Sequence, residues 1–124
     1  MASEVHYTPE NNWINDPNGL VYVDGTWHKY DQYSPTGPVW SSISWGHATR
    51  TELVNRTEQP LAILQTPNGV GLSTGDIFSG SVVVDEGNAC GPGTAENLPL
   101  VALYTSNNTV LDPDAPLIQA QSVV

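Results

Sequence analysis

The residues most able to do chemistry in this chain lie close together near its start, between Trp13 and Pro17. Asp16 supplies a carboxylate, Asn15 an amide that can hydrogen-bond hydroxyl groups, and Trp13 an aromatic face. Pro17 restricts the residue before it, so it pushes Asp16 out of the α region and fixes the local backbone. A carboxylate held rigidly beside an amide and an indole suits a sugar site. Asp-Pro-Asn-Gly is also a good turn sequence, and on this segment alone the turn is the better interpretation.

Length and composition limit the classes of protein and partner. The 124 residues have room for one ordinary domain, 1–124, and none for a second. Thirteen acidic residues against three basic ones give a formal net charge of −10, which argues against nucleic acid or an anionic membrane as a partner. A neutral sugar meets no such penalty. Cys90 is the single cysteine, so the chain can form neither an intrachain disulfide nor a cysteine metal cluster.

Targeting signals are not evident in the sequence. The longest apolar runs, Val82 to Val84 and Leu100 to Leu103, are far shorter than a membrane span. The first residues lack the basic segment and apolar core of a signal peptide. The sequence therefore leaves the localisation open.

The elements that must position these residues are predicted to be strands. Short β-rich runs alternate with turn clusters roughly every ten to twenty residues, which is typical of an all-β sandwich, barrel or propeller. Asp24 and Gly25 form a strong hairpin turn between the first two strands. The predicted strands cover Asn18 to Val23, Thr26 to Tyr33, Ser42 to Thr49, Pro60 to Leu64, Ile77 to Asp85, Leu100 to Ser106 and Leu117 to Val124.

Two blade-sized units can be built from these strands. Asn18 to Leu64 supplies one four-stranded unit of the length typical of a propeller blade. Ile77 to Val124 supplies three strands of a second unit. Because a propeller needs at least about four blades to close, this interpretation makes the chain part of a larger fold. The alternative is a small two-sheet sandwich that is complete in itself.

Several motifs together resemble one enzyme family. Trp-Ile-Asn-Asp-Pro-Asn-Gly, which starts at Trp13, closely resembles the signature of glycoside hydrolase family 32, which includes invertases, inulinases and levanases. Further segments resemble that family in the same order and at similar spacing. They are Gln32 to Pro35, Ser44 to Thr49, Glu58 to Ala62 and Phe78 to Ser81.

The resemblance implies a fold, a reaction and a set of site residues. The fold would be a partial five-bladed β-propeller, with about the first blade and most of the second in this chain. The reaction would be hydrolysis of β-fructofuranosides such as sucrose, inulin or levan by a retaining mechanism, with Asp16 as the nucleophile. This chemistry needs no cofactor and no metal. The residues implied to line the fructose site are Asn15, Gln32, Trp40, Phe78 and Ser79.

The other catalytic carboxyl group that the family uses is absent from the sequence. The family places its acid/base Glu in a Glu-Cys motif and a stabilising Asp in an Arg-Asp-Pro motif, and neither motif occurs here. We therefore expect the isolated chain to have no useful fructosidase activity. The alternatives are a non-catalytic fructoside-binding remnant or an inert truncated product. A chain that ends on an apolar strand also has an unpaired sheet edge, which predicts self-association.

Some residues depart from the family pattern. Lys29 and Asp31 stand where the family usually has apolar or aromatic residues, and as i and i+2 on one strand face they can pair with each other. Asn55 and Arg56 replace a common His-Trp pair. We interpret the remaining titratable groups as structural histidines, namely His6, His28 and His47, or as solvated loop charges, namely Asp85, Glu86, Glu96, Asp112 and Asp114.

Overall fold

The computed structural model describes residues 6–51, 56–65, 75–94, 97–107 and 119–124. These residues form seven β-strands and no helix. The strands are β1 Trp13–Val23, β2 Thr26–Ser34, β3 Ser44–Arg50, β4 Thr57–Ile63, β5 Asp76–Val84, β6 Leu100–Asn107 and β7 Gln119–Val123. In this part of the chain no helix has the length and hydropathy needed to cross a membrane.

The strands form two antiparallel sheets that match the two predicted units. The first sheet has the order β1-β2-β3-β4 and the second has the order β5-β6-β7. The predicted hairpin is confirmed, because Val23 pairs with Thr26 and both turn residues, Asp24 and Gly25, have positive φ. The fold is therefore all-β, with one complete four-stranded blade and three strands of the next.

The first strand begins earlier than predicted. It starts at Trp13 rather than Asn18, so the Asp-Pro-Asn-Gly segment lies inside β1 and is not a turn before a strand. The pairing of β1 with β2 shifts register on both sides of Pro17. These two irregularities leave the turn-forming residues partly unpaired, and the strand continues on both sides of them. The predicted start of the last strand, and most of the predicted loop from 65 to 75, lie outside the described residues.

The core lies between the two sheets. Trp45 of β3 is fully buried and packs edge to face on Tyr104 of β6, with ring centroids 6.1 Å apart. Its indole N–H also donates a hydrogen bond of 3.0 Å to the carbonyl of Phe78 on β5. Ile77 donates its backbone N–H to the carbonyl of Ile43 at 2.8 Å. Apolar packing and hydrogen bonds together hold the second sheet against the first, and the candidate site lies at that junction.

The opposite face of the first sheet carries the two unusual charges. Lys29 and Asp31 form the expected ion pair, but Asp31 is only 1% exposed whereas Lys29 is 26% exposed. Burial raises the pKa of Asp31, while the hydrogen bond and charge of Lys29 oppose that rise. The Lys29 ammonium also lies 3.9 Å from the ring centroid of Tyr7. The pair is thus a partly buried structural feature and not an exposed one.

The segment before β1 covers part of this face. Arg56 donates hydrogen bonds to the carbonyls of His6 and Thr8 at 3.2 and 3.1 Å. Glu58 accepts the backbone N–H of Glu10 at 2.7 Å. Arg56 therefore fixes the chain where the family commonly has an aromatic residue, whereas Asn55 lies outside the described residues.

Candidate active site at the junction of the two sheets

Two bulges bring the candidate nucleophile into contact with the second sheet. On β1, the register shifts between Asn15 and Pro17, so Asp16 has no partner residue on β2. On β5, the register shifts between Phe78 and Gly80, so Ser79 has no partner on β6. Bulges re-aim side chains that a regular strand would point elsewhere. Here they allow the Ser79 hydroxyl to donate a hydrogen bond of 2.9 Å to Asp16 Oδ2.

The backbone of Asp16 is strained. Its φ is +31°, in the left-handed region that few residues other than glycine adopt, and the following Pro17 restricts it further. The prediction that Asp16 is kept out of the right-handed α region agrees with this value, but the sequence did not indicate the positive φ. Such strain costs on the order of 1–3 kcal/mol and clusters at functional sites. The Asp16 side chain is exposed to solvent.

Four of the predicted site residues lie in one hydrogen-bonded chain with Trp13. Trp13 Nε1 donates to Asn15 Oδ1 at 2.9 Å, and Asn15 Nδ2 donates to Gln32 Oε1 at 2.9 Å. Gln32 Nε2 donates to Ser79 Oγ at 2.8 Å, and Ser79 donates to Asp16. Gln32 is only 5% exposed, so its amide is held firmly between the two sheets. The structure therefore brings Asn15, Asp16, Gln32 and Ser79 together.

The other two predicted site residues form an aromatic pair. Trp40 and Phe78 have ring centroids 6.1 Å apart and planes inclined by 54°. Trp40 is 49% exposed, so much of its surface is accessible to solvent. The loop that carries it is tied to the start of β1, because Trp13 donates its backbone N–H to the carbonyl of Gly37 at 3.1 Å. Sugar rings pack well on such aromatic faces.

Close backbone packing at the junction was not predicted. A Cβ added at Gly80 would lie 2.0 Å from the backbone oxygen of Leu103, so only glycine fits there. A Cβ at Gly19 would lie 2.8 Å from a methyl group of Val82. Gly80 also donates its N–H to Asn18 Oδ1 at 3.4 Å. The contacts of Gly19 with Val82 and of Gly80 with Asn18 bring β1 close to β5, whereas the contact of Gly80 with Leu103 lies within the second sheet, beside the bulge that carries Ser79. The only sequence signal was the presence of Gly19 and Gly80 within predicted strands.

Two of the histidines have the structural role that we expected. His28 Nδ1 and His47 Nε2 are 3.1 Å apart and share a hydrogen bond, and Tyr30 stacks on His47 at 4.6 Å. Burial and the neighbouring His28 lower the pKa of His47 to about 4. His47 is therefore neutral over most of the pH range and serves packing rather than proton transfer at neutral pH.

Among the loop carboxylates that the structure describes, Asp85 accepts hydrogen bonds from the backbone. Asp85 is not simply solvated, because it accepts backbone N–H groups from Ala89 and Cys90 at 3.0 and 2.8 Å. These hydrogen bonds lower its pKa. Asp85 lies in the loop after β5, as predicted, and its carboxylate also caps a turn. Within the described ranges no group of three or more metal-ligating side chains occurs. Glu96, Asp112 and Asp114 lie outside the described residues.

The arrangement belongs to a known class of protein. A four-stranded antiparallel sheet followed by three strands of a second one fits consecutive blades of a β-propeller. The family model for the glycosyl hydrolases family 32 N-terminal domain matches residues 6–124. The chain therefore belongs to glycoside hydrolase family 32.

Individual relatives agree with this assignment. The extracellular exo-inulinase of Aspergillus niger is 48% identical over 103 residues, which are 83% of this chain and 19% of that protein. The crystal structure of exo-inulinase from Aspergillus awamori matches 97% of this chain and 24% of its own, with 41% identity and a TM-score of 0.80. A fructofuranosidase from Schwanniomyces occidentalis, complexed with fructosylnystose, matches 97% of this chain and 22% of its own, with 39% identity and a TM-score of 0.76. The chain thus spans about a fifth to a quarter of the length of these relatives.

Proposed function

We propose that residues 1–124 are the N-terminal part of the propeller catalytic domain of a β-fructofuranosidase that acts on sucrose, inulin or levan. The observation that carries this proposal is the hydrogen-bonded contact of Asp16 with Ser79 across the two blades. Relatives that act on or bind fructosides support the substrate class. In this proposal Asp16 is the nucleophile of a retaining double displacement.

Each of the other predicted residues has a place in the proposed site. Asn15 and Gln32 offer amide groups beside the carboxylate, and Ser79 holds that carboxylate in place. Trp40 and Phe78 provide aromatic surface for the fructosyl ring. The site is neutral apart from Asp16, which suits an uncharged sugar.

The proposed reaction needs a second carboxyl group. Asp16 would attack the anomeric carbon while a protonated acid donates to the leaving oxygen. Neither motif that carries the family's acid/base and stabilising carboxylates occurs in these 124 residues. We therefore propose that the isolated chain binds fructosides and does not hydrolyse them at a useful rate. Among the described strands β7 lies at the edge of its sheet, and such an edge would also favour self-association.

The test is a hydrolysis assay with sucrose and inulin, run together with fructoside binding by calorimetry. The purified chain and its Asp16→Asn variant should both be folded by circular dichroism, and both should bind a fructoside without turnover. Turnover that Asp16→Asn abolishes would mean that another group in this chain serves as the acid. Failure of the folded chain to bind any fructoside would contradict the proposal and favour an inert product.

A further inference from the structure

The hydrogen bonds that lead to Asp16 can run in one direction only. The indole Nε1–H of Trp13 is a donor without acceptor capacity, so it must donate to Asn15 Oδ1. That contact turns the Asn15 Nδ2 group toward Gln32, which must then present Oε1. Gln32 consequently presents Nε2 to Ser79. A single donor-only group thus fixes the orientation of two amides.

The directions of the hydrogen bonds are equally restricted at the Asp16 end of this hydrogen-bonded chain. An ionised carboxylate accepts hydrogen bonds and donates none. The Ser79 oxygen already accepts from Gln32, so its single proton is available for Asp16 Oδ2. A donor-only indole at one end and an acceptor-only carboxylate at the other leave no alternative pattern. Both amides are therefore held in one orientation even though the ends of the chain are exposed.

This pattern distinguishes the two oxygens of the Asp16 carboxylate. Oδ2 is occupied by Ser79, whereas no hydrogen bond from the described residues reaches Oδ1. The positive φ of Asp16 and its exposure leave Oδ1 at the surface of the junction. An oxygen that carries no hydrogen bond is the better nucleophile of the two, because no bond must be lost when it attacks.

We infer that Trp13 is a positioning residue that acts through Asn15, Gln32 and Ser79 to present Oδ1 of Asp16 as the attacking oxygen. The inference rests on the proposed function for the identity of the electrophile. In that step Oδ1 forms a bond to the anomeric carbon as the bond to the leaving group breaks. The electron pair of the broken bond departs with the leaving group. For a sugar leaving group, a protonated acid must also donate a proton to the leaving oxygen.

Coupling between Trp13 and Asp16, the two ends of the hydrogen-bonded chain, can be measured without a sugar. Each of the four tryptophans gives one indole N–H signal in a ¹⁵N–¹H spectrum, and Trp13→Phe identifies that of Trp13. Protonation of Asp16 weakens the acceptor at the far end, because a neutral carboxyl group accepts a hydrogen bond less strongly than a carboxylate, and this change perturbs every hydrogen bond before it. The Trp13 signal should therefore shift with the same midpoint as the Asp16 carboxyl carbon, while the Trp27 signal should not.

Two variants make this experiment decisive. Asp16→Asn should abolish the shift of the Trp13 signal over that pH range. Ser79→Ala should abolish it too, although the Asp16 carboxyl group is still present. The inference would be overturned if the Trp13 signal did not shift with the protonation of Asp16 in the unmodified chain. It would also be overturned if the shift in Ser79→Ala were as large as in the unmodified chain. If Ser79→Ala does not fold, Ser79→Cys takes its place, because a thiol is a much weaker hydrogen-bond donor and should reduce the shift of the Trp13 signal.

A second readout tests positioning at the reacting atom. A fructosyl fluoride needs no acid to release its leaving group, so it can report attack by Asp16 in the isolated chain. Trp13→Phe should slow labelling of Asp16 roughly tenfold, since misplaced reacting groups lose rate steeply, while Trp27→Phe should leave it unchanged. Equal labelling rates in these two variants would contradict a positioning role. Loss of the proposed fructoside site would instead abolish labelling in all of them and leave the spectroscopic coupling intact.

Discussion

Strand β2 presents two faces that differ in how they use polar groups. Toward the second sheet it places Tyr30 in the core and Gln32 in the hydrogen-bonded chain that ends at Asp16. Away from that sheet it places Lys29 and Asp31, which pair with each other. The two sets alternate along a single strand, as the pleat of a strand requires.

The difference shows how the fold keeps formal charge away from the candidate nucleophile. The inner-face contacts of β2 are apolar or are neutral hydrogen bonds, and Asp16 is the one charged group in the hydrogen-bonded chain from Trp13. The other acidic residue at the junction, Asp76, is buried and accepts the backbone N–H of Ile43 at 2.9 Å. On the outer face Lys29, Asp31 and Arg56 hold the segment before β1 through charges. A cation beside Asp16 would weaken it as a nucleophile. Placing the basic residues on the outer face avoids this.

The largest expected change in the free energy of unfolding comes from removing a buried side chain on the inner face. Trp45→Ala should lower the free energy of unfolding by about 3–5 kcal/mol, because it removes the largest fully buried side chain and leaves a cavity. Urea unfolding followed by circular dichroism measures this. Trp40→Ala is the matched control, since Trp40 is 49% exposed and should cost less than about 1 kcal/mol. Equal losses in the two variants would mean that the junction is not the core.

Breaking the outer pair should have the next largest effect. Lys29→Leu leaves Asp31 buried without its cation and should cost about 3 kcal/mol. Replacing both residues, as Lys29→Leu with Asp31→Leu, should recover most of that loss, because the apolar pair needs no desolvation of charge. Denaturant unfolding of both single variants and the double variant gives the coupling. A double variant as unstable as Lys29→Leu would show that the charges themselves are required.

The pair of His28 and His47 should make the free energy of unfolding depend on pH. The pKa of His47 is lowered from 6.5 to about 4. Between these two pH values the imidazole is mostly protonated in the unfolded chain and mostly neutral in the folded chain. The free energy of unfolding should therefore fall by roughly 2 kcal/mol as the pH drops from about 6.5 to about 4. His47→Gln should flatten that dependence in thermal unfolding scans. Asp31 opposes the effect, because its raised pKa makes the folded chain gain stability as the pH falls.

The doubly substituted Lys29→Leu, Asp31→Leu chain isolates the histidine contribution. It lacks the opposing carboxyl group, so its stability should fall more steeply with acid than that of the unmodified chain. A pH dependence that His47→Gln leaves unchanged in this background would show that His47 protonates freely in the folded state.

The sequence predicted the strands well and the geometry of the site less well. Alternation and turn residues were sufficient to place β2, the Asp24-Gly25 hairpin and the division into two units. The start of β1 was wrong because Asp-Pro-Asn-Gly looks like a turn, and only tertiary pairing shows that two bulges keep it within a strand. The contact between Ser79 and Asp16 joins residues 63 positions apart and depends on bulges in two strands. No local pattern carries that information.

Three side chains, Trp13 and the Lys29–Asp31 pair, had a role beyond the one that their residue types suggested. Trp13 was expected to offer an aromatic face, but its indole N–H also orients Asn15. Lys29 and Asp31 were expected to pair, but the near-complete burial of Asp31 depends on how the sheet packs under the segment before β1. Residue type thus indicated which groups could interact, and the fold decided how strongly.

Covalent labelling tests most directly whether Asp16 at the blade junction is a fructosyl-accepting nucleophile. The folded chain is incubated with a fructosyl fluoride, whose leaving group departs without help from an acid. Intact and peptide mass spectrometry should then show one added fructosyl group on the peptide that contains Asp16, and none in Asp16→Asn. No adduct on the folded chain, or an adduct that persists in Asp16→Asn, would contradict the account.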